Sequence, residues 1–255
     1  MSKILMVFVL SCSSLASFAD LPQNDLWKQD NKNLASNFTE KEFNAAIKEL
    51  QTLYATIIAK FGAKLSIKGN WDDSTVNAYA SQSGKTWNVQ MFGGLARRPE
   101  MTIDGFKLVI CHELGHHVGG APASGWAAFE GQADIYATYV CGKKIFANYS
   151  QQVQVNPYCN NGTDKDRIAC TVNLNAGLSL ANLLAALAGD EAVPSYSTFD
   201  PTVVSETQSE HPRAQCRLDS YFAGEMCNMP WNDKVIPKNE DSFCDTRPRC
   251  WFHPS

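Results

Sequence analysis

The stretch Asp104-Gly105-Phe106-Lys107-Leu108-Val109-Ile110-Cys111-His112-Glu113-Leu114-Gly115-His116-His117-Val118-Gly119 carries an H-E-x-x-H motif at residues 112–116. Its apolar residues recur at helical spacing, Asp104 is a candidate N-cap, and Gly119-Gly120 supplies a stop, so the stretch predicts a helix. On a helix, residues i and i+4 share a face, and His112 and His116 therefore present two imidazoles to one point. A tetrahedral zinc ion, with Zn–N distances of about 2.0–2.1 Å, accepts that pair. Glu113 sits one step round the helix, within reach of a water on the ion without ligating it. Two histidines alone do not close such a site, and a third ligand is required.

That ligand is sought in Trp126-Ala127-Ala128-Phe129-Glu130-Gly131-Gln132-Ala133-Asp134-Ile135. Glu130 and Asp134 are four apart on a second predicted helix, from about 125 to 146. One carboxylate can complete the metal sphere while the other accepts the outer N–H of a ligand histidine, fixing its tautomer. The plain alternative is a solvated acidic face. The apolar neighbours Trp126, Phe129, Ala133 and Ile135 argue against it, because an idle carboxylate pair among them is costly.

The amino terminus reads as an export signal over residues 1–19. Lys3 is the positive region, Ile4–Leu10 the short apolar core, and Ser17-Phe18-Ala19 a small-x-small cleavage site. Val9-Leu10-Ser11-Cys12 loosely matches a lipobox, so lipid anchoring through Cys12 is the lesser alternative. The expected destination is the periplasm or the exterior, with no transmembrane segment in the mature chain. Of nine cysteines, eight remain after cleavage, an even number that suits disulfides in an exported protein. Cys159–Cys170 and Cys244–Cys250 are the nearest local pairs. Cys111, although beside His112, is turned about 100° away from it and reads as packing or disulfide. The net charge of −4, with no basic block, argues against nucleic acid as a partner.

Between these landmarks, residues 20–37 read as a flexible lead-in, and Thr39-Glu40-Lys41-Glu42 is a capping box that opens a helix ending at Gly62. Strands are expected at 64–68, 76–81 and 86–92, the last of them a candidate sheet edge for binding extended peptide. Further helices are expected at about 176–188 and 212–223. A cysteine-containing tail begins at residue 228. His117 and His253 carry no assigned role.

His112-Glu113-x-x-His116 followed by Glu130-x-x-Ala133-Asp134 resembles the gluzincin metallopeptidases of the CAAX-prenyl-protease, HtpX and BepA type. Val76-Asn77-Ala78-Tyr79-Ala80 with Gly84 and Gly94-Leu95 resembles the strand pair before that family's zinc helix. His211-Pro212-Arg213-Ala214-Gln215-Cys216-Arg217 fits its H-P-x-x-x-x-R element. The likeness spans about residues 70–220. It departs in the short segment between His116 and Glu130, which implies a reduced lid, in Ile135 where a basic residue is common, and in the cysteine-rich carboxyl end.

The resemblance implies an α+β, zincin-like metallopeptidase domain over 38–227, mainly helical with a small sheet beside the zinc helix, and a packed tail at 228–255. It implies one zinc held by His112, His116 and Glu130, with Asp134 behind them and Glu113 as general base. His211 and Arg217 become candidates for stabilising the oxyanion. His211 can equally be structural, or cap the metal in a resting state. The expected activity is endopeptidase cleavage of exported polypeptides. The alternative is a catalytically inactive, chaperone-like zinc protein on the same fold.

Overall fold

Helix α1 (Glu40–Ala59) opens on the capping box read from the sequence. The Thr39 hydroxyl accepts from Glu42 N, and the Glu42 carboxylate accepts in return from Thr39 N at 2.7 Å. The computed structural model describes residues 37–189, 192–239 and 247–254. The export signal, Cys12, most of the lead-in and Cys244 lie outside the described residues. One face of α1 buries Phe43, Ile47, Leu50, Tyr54 and Ile58 against the sheet and the motif helix.

Strands β1 (Lys64–Asn70), β2 (Ala78–Ser83) and β3 (Thr86–Phe92) form a sheet in the order β1-β3-β2. β3 runs parallel to β1 and antiparallel to β2. The expectation that β3 is an open edge is therefore wrong: both its sides are paired. The hairpin joining β2 and β3 leaves β2 on the outside, and β2 packs beside the motif helix. After a single turn α2 (Gly93–Ala96) comes that helix, α3 (Ile103–Val118), capped by Thr102, whose hydroxyl accepts from Gly105 N at 3.0 Å. Thr102, not Asp104, is thus the N-cap, and Asp104 lies in the first turn. Thirteen of the sixteen residues of α3 are buried, because sheet, α1 and later helices surround it.

The helix expected from residue 125 starts later. Residues 121–129 form a hairpin of β4 (Ala123–Ser124) and β5 (Ala127–Ala128) around Gly125-Trp126, with Gly125 at φ 61° as such two-residue loops require. Helix α4 (Glu130–Tyr136) follows and runs directly through a π-helical segment (Ala137–Gly142) into α5 (Lys143–Phe146). Helix α6 (Asp164–Ala188) is longer than the 176–188 expected. Its first turns, Asp164-Lys165-Asp166-Arg167, look like loop by polarity, yet Thr163 and Asp166 cap each other reciprocally and start the helix there. α6 is long and apolar enough to cross a membrane, but 67% of its most apolar window is packed inside the fold, as in a core helix. Helix α7 (Ala214–Met226) completes an α+β fold, mainly helical with a small sheet.

Disulfides join Cys111 to Cys141, Cys159 to Cys170 and Cys216 to Cys250, and such bonds fit an oxidising compartment. Cys159–Cys170 matches the local pairing expected. Cys244–Cys250 does not form, because Cys250 is held against α7, with its Cα 5.9 Å from that of Cys216. Cys227 is disulfide-bonded as well.

A cavity of about 570 Å³ opens between α5, α6 and the end of α7, well separated in sequence from the histidine motif. Glu225 lines it. Burial pushes its carboxyl up to about 7, although the Lys143 charge and a hydrogen bond from Asn173 pull the other way. The folded state thus holds an extra proton between about pH 4.5 and 7. Stability from that proton is complete below the unfolded pKa and is lost as pH rises through 7. In Glu225→Gln, urea unfolding should show the variant gaining on the wild type from pH 5 to 8, by up to about 3 kcal/mol. A pH-independent difference would remove this role for Glu225.

Candidate metal centre

Three elements meet around the motif. Helix α3 brings His112, Glu113 and His116, α4 brings Glu130 and Asp134, and α7 brings Arg217, all of them buried. The approach of α3 to α4 depends on Gly115, where a Cβ would lie 2.9 Å from both the Cα and the carbonyl oxygen of Ala133. Any larger residue would push the two helices, and their ligands, apart. The Cys111–Cys141 bond fastens α3, one residue from His112, to the π-helical segment that continues α4.

His112 Nε2 and His116 Nε2 stand 3.1 Å apart, and Glu130 reaches them with Oε2 at 3.2 Å and Oε1 at 3.6 Å respectively. Ligands on a tetrahedral zinc are separated by about 3.3 Å, given metal–ligand distances near 2.0–2.1 Å. The two imidazole nitrogens and the carboxylate oxygen nearest each of them lie close to that spacing, and the His-His-Glu group can hold a metal ion. Each histidine is also oriented from behind. His112 Nδ1 donates to Asp134 Oδ1 at 2.8 Å, and His116 Nδ1 donates to the Ala128 carbonyl at 2.8 Å. Both outer bonds leave Nε2 facing the shared point, as metal-ligating histidines require.

Asp134 is held in turn. Arg217 donates to it through Nε at 2.8 Å and Nη2 at 2.7 Å, a two-pronged pair fully out of water. Burial alone would raise the Asp134 carboxyl, but Arg217 and His112 hold it below its ordinary value. Burial likewise opposes ionisation of Glu130, and the charges of His116, His211 and His112 overcome it and lower its pKa. His112 is pushed down by burial yet carried up to about 9 by Asp134 and Glu130, whereas burial takes His116 down to about 4. The cluster therefore calls for a positive charge beside Glu130. A divalent cation bound by His112, His116 and Glu130 would supply that charge.

His211 arrives on the irregular segment before α7 and places Nε2 3.2 Å from Glu130 Oε2. Arg217 Nη2 lies 3.9 Å from the same oxygen. His112, His116, Glu130, Asp134, His211 and Arg217 are thus all in one place, with Glu113 buried on α3 between His112 and His116 in sequence. His253 is not among them.

His117 is more than packing. Its ring stacks between Trp87 at 5.2 Å and Trp126 at 5.0 Å, Nε2 donates to the Asn88 carbonyl at 3.1 Å, and Nδ1 accepts from Gln82 at 3.3 Å. Burial pushes it down to about 3, so it is a neutral cross-link from α3 to β2, β3 and the Trp126 hairpin. That hairpin carries the Ala128 carbonyl behind His116. Neither this carbonyl nor the stack was read from the sequence. A backbone acceptor leaves no residue signal, and the Trp87–His117–Trp126 stack joins segments distant in sequence. No protein-family model, curated protein or solved structure matches the chain.

Proposed function

We propose that the chain is a zinc-dependent endopeptidase of gluzincin type, acting on exported polypeptides. The observation that carries this reading is the convergence of His112 Nε2, His116 Nε2 and the Glu130 carboxylate, whose nearest oxygens lie 3.2 and 3.6 Å from the two nitrogens, with both imidazoles aimed by outer hydrogen bonds. Two nitrogens and one carboxylate with no sulfur is a donor set common at catalytic zinc. Bound there, the ion supplies Lewis acidity that brings a coordinated water towards a pKa of about 7.

The remaining chemistry belongs to the chain. Glu113, next to His112 and not a ligand, takes the water's proton as general base and delivers it to the departing amine. Asp134 keeps His112 in the tautomer with Nε2 inward, and Arg217 keeps Asp134 ionised. His211 and Arg217 border the Glu130 side of the site and are placed to stabilise negative charge on the carbonyl oxygen. Arg217 Nη1, buried and without a hydrogen-bond partner among the described residues, retains an unused donor for that purpose. The substrate strand is assigned to the outer side of β2, beside α3, where an extended peptide can pair by main-chain hydrogen bonds.

Purified protein should digest casein, lose that activity to a chelator, and regain it on zinc addition. Activity indifferent to chelation, or zinc-loaded protein inert towards casein and unfolded peptides, would favour the inactive zinc-binding alternative.

A further inference from the structure

We propose that Trp251, in the carboxyl-terminal segment, is a positioning residue for the metal ligand Glu130, an inference that rests on the metal-site reading above. Glu130 is the first residue of α4, and the residue before it, Phe129, makes no side-chain cap. Something other than a cap must therefore set the angle at which α4 starts. The next residue, Gly131, lies against the Trp251 indole so closely that a Cβ there would be 2.2 Å from Trp251 Cδ2. Trp251 is fully buried.

The indole is itself fixed from three directions. Cys250 is bonded to Cys216, the neighbour of Arg217 on α7. The Trp251 Nε1–H donates to Ser220 Oγ, also on α7, at 3.0 Å. The Trp251 carbonyl accepts from Gln208 N at 2.8 Å, on the segment that leads to His211. Four residues earlier, Arg247 Nε donates to Gln132 Oε1 at 3.0 Å, and Gln132 Nε2 donates to the Gly119 carbonyl at 3.1 Å, where α3 ends. The segment thus ties together α3, α4 and α7, which supply the ligands, Asp134 and Arg217, without contributing a ligand itself. Its pressure point is the residue after Glu130. A flat, rigid ring against a glycine sets the lateral position of α4, whereas a smaller side chain would leave Glu130 free to drift from the two imidazoles. Tenths of an ångström matter for a ligand that must meet two fixed nitrogens at one metal.

The test is zinc affinity of the full chain, measured by competition with a chromophoric chelator, alongside the thermal midpoint of the metal-free protein. Trp251→Leu should weaken zinc binding by about 10–100-fold, the usual effect of disturbing groups that orient ligands. Trp251→Phe, which keeps a flat ring, should restore most of that affinity. Phe146→Leu on α5, which trims a comparably buried ring, should lower the midpoint with zinc affinity unchanged. Should Trp251→Leu fail to fold, Gly131→Ala carries the same expectation. Combined with Trp251→Phe, it should bind zinc more tightly than Gly131→Ala alone. Unchanged affinity in Trp251→Leu, or an equal loss in Phe146→Leu, overturns the proposal and leaves the metal site standing. A wild-type protein that takes up no zinc overturns both.

Discussion

Glu113→Gln should lower peptide hydrolysis by a factor of about 10²–10⁴ while leaving zinc content and fold intact. Glutamine matches glutamate in size and reach but has no basicity, so the substitution removes proton transfer and little else. The position is buried, and a neutral amide is easier to bury than a carboxylate, so no loss of stability is expected. Glu113 is not one of the three clustered donors, and zinc should stay at one ion per chain. Steady-state hydrolysis of a fluorogenic peptide, with elemental analysis of the same sample, reads both quantities. Undiminished turnover would assign the activity to another site or to a contaminating protease.

The second large effect is on the metal itself. His112→Ala, His116→Ala and Glu130→Gln each remove one corner of the donor triangle, and each should reduce zinc from one per chain to a small fraction at equal chelator challenge. The loss reaches beyond the missing bond. Interactions with the surrounding histidines lower the Glu130 pKa, and His112 is aimed because Asp134 sits behind it. Removing one partner leaves the others buried and poorly matched. Glu130→Gln is the most informative, since it keeps the shape of the side chain and changes only its charge and donor strength. Full zinc occupancy in all three variants would place the metal elsewhere.

Much of this centre was legible before any coordinates. Helical periodicity alone puts His112 and His116 on one face, and a carboxylate pair set among apolar residues is a strong sign because burial penalises it. Both readings use local physics, and both residue pairs meet in the fold. His211 and Arg217 came from resemblance, since nothing local says that a residue eighty positions further on returns to Glu130. What escaped the sequence is non-local or carried by the backbone. The central position of β3 depends on strand order, which periodicity does not encode. The Ala128 carbonyl has no side-chain signature. The start of α6 hid behind charged residues that resemble a loop until their capping box is recognised. The pairing of Cys250 with Cys216, instead of Cys244, follows from Trp251 packing on α4 and α7, a contact that no spacing rule anticipates.

The central claim is that His112, His116 and Glu130 hold one zinc ion with a light-atom position to spare. X-ray absorption at the zinc edge of the purified full-length protein tests it most directly. The expected result is one zinc per chain in a shell of about four nitrogen and oxygen atoms near 2.0–2.1 Å, two of them showing the outer-shell scattering of imidazole. A sulfur shell near about 2.3 Å, or a spectrum without imidazole scattering, would contradict it.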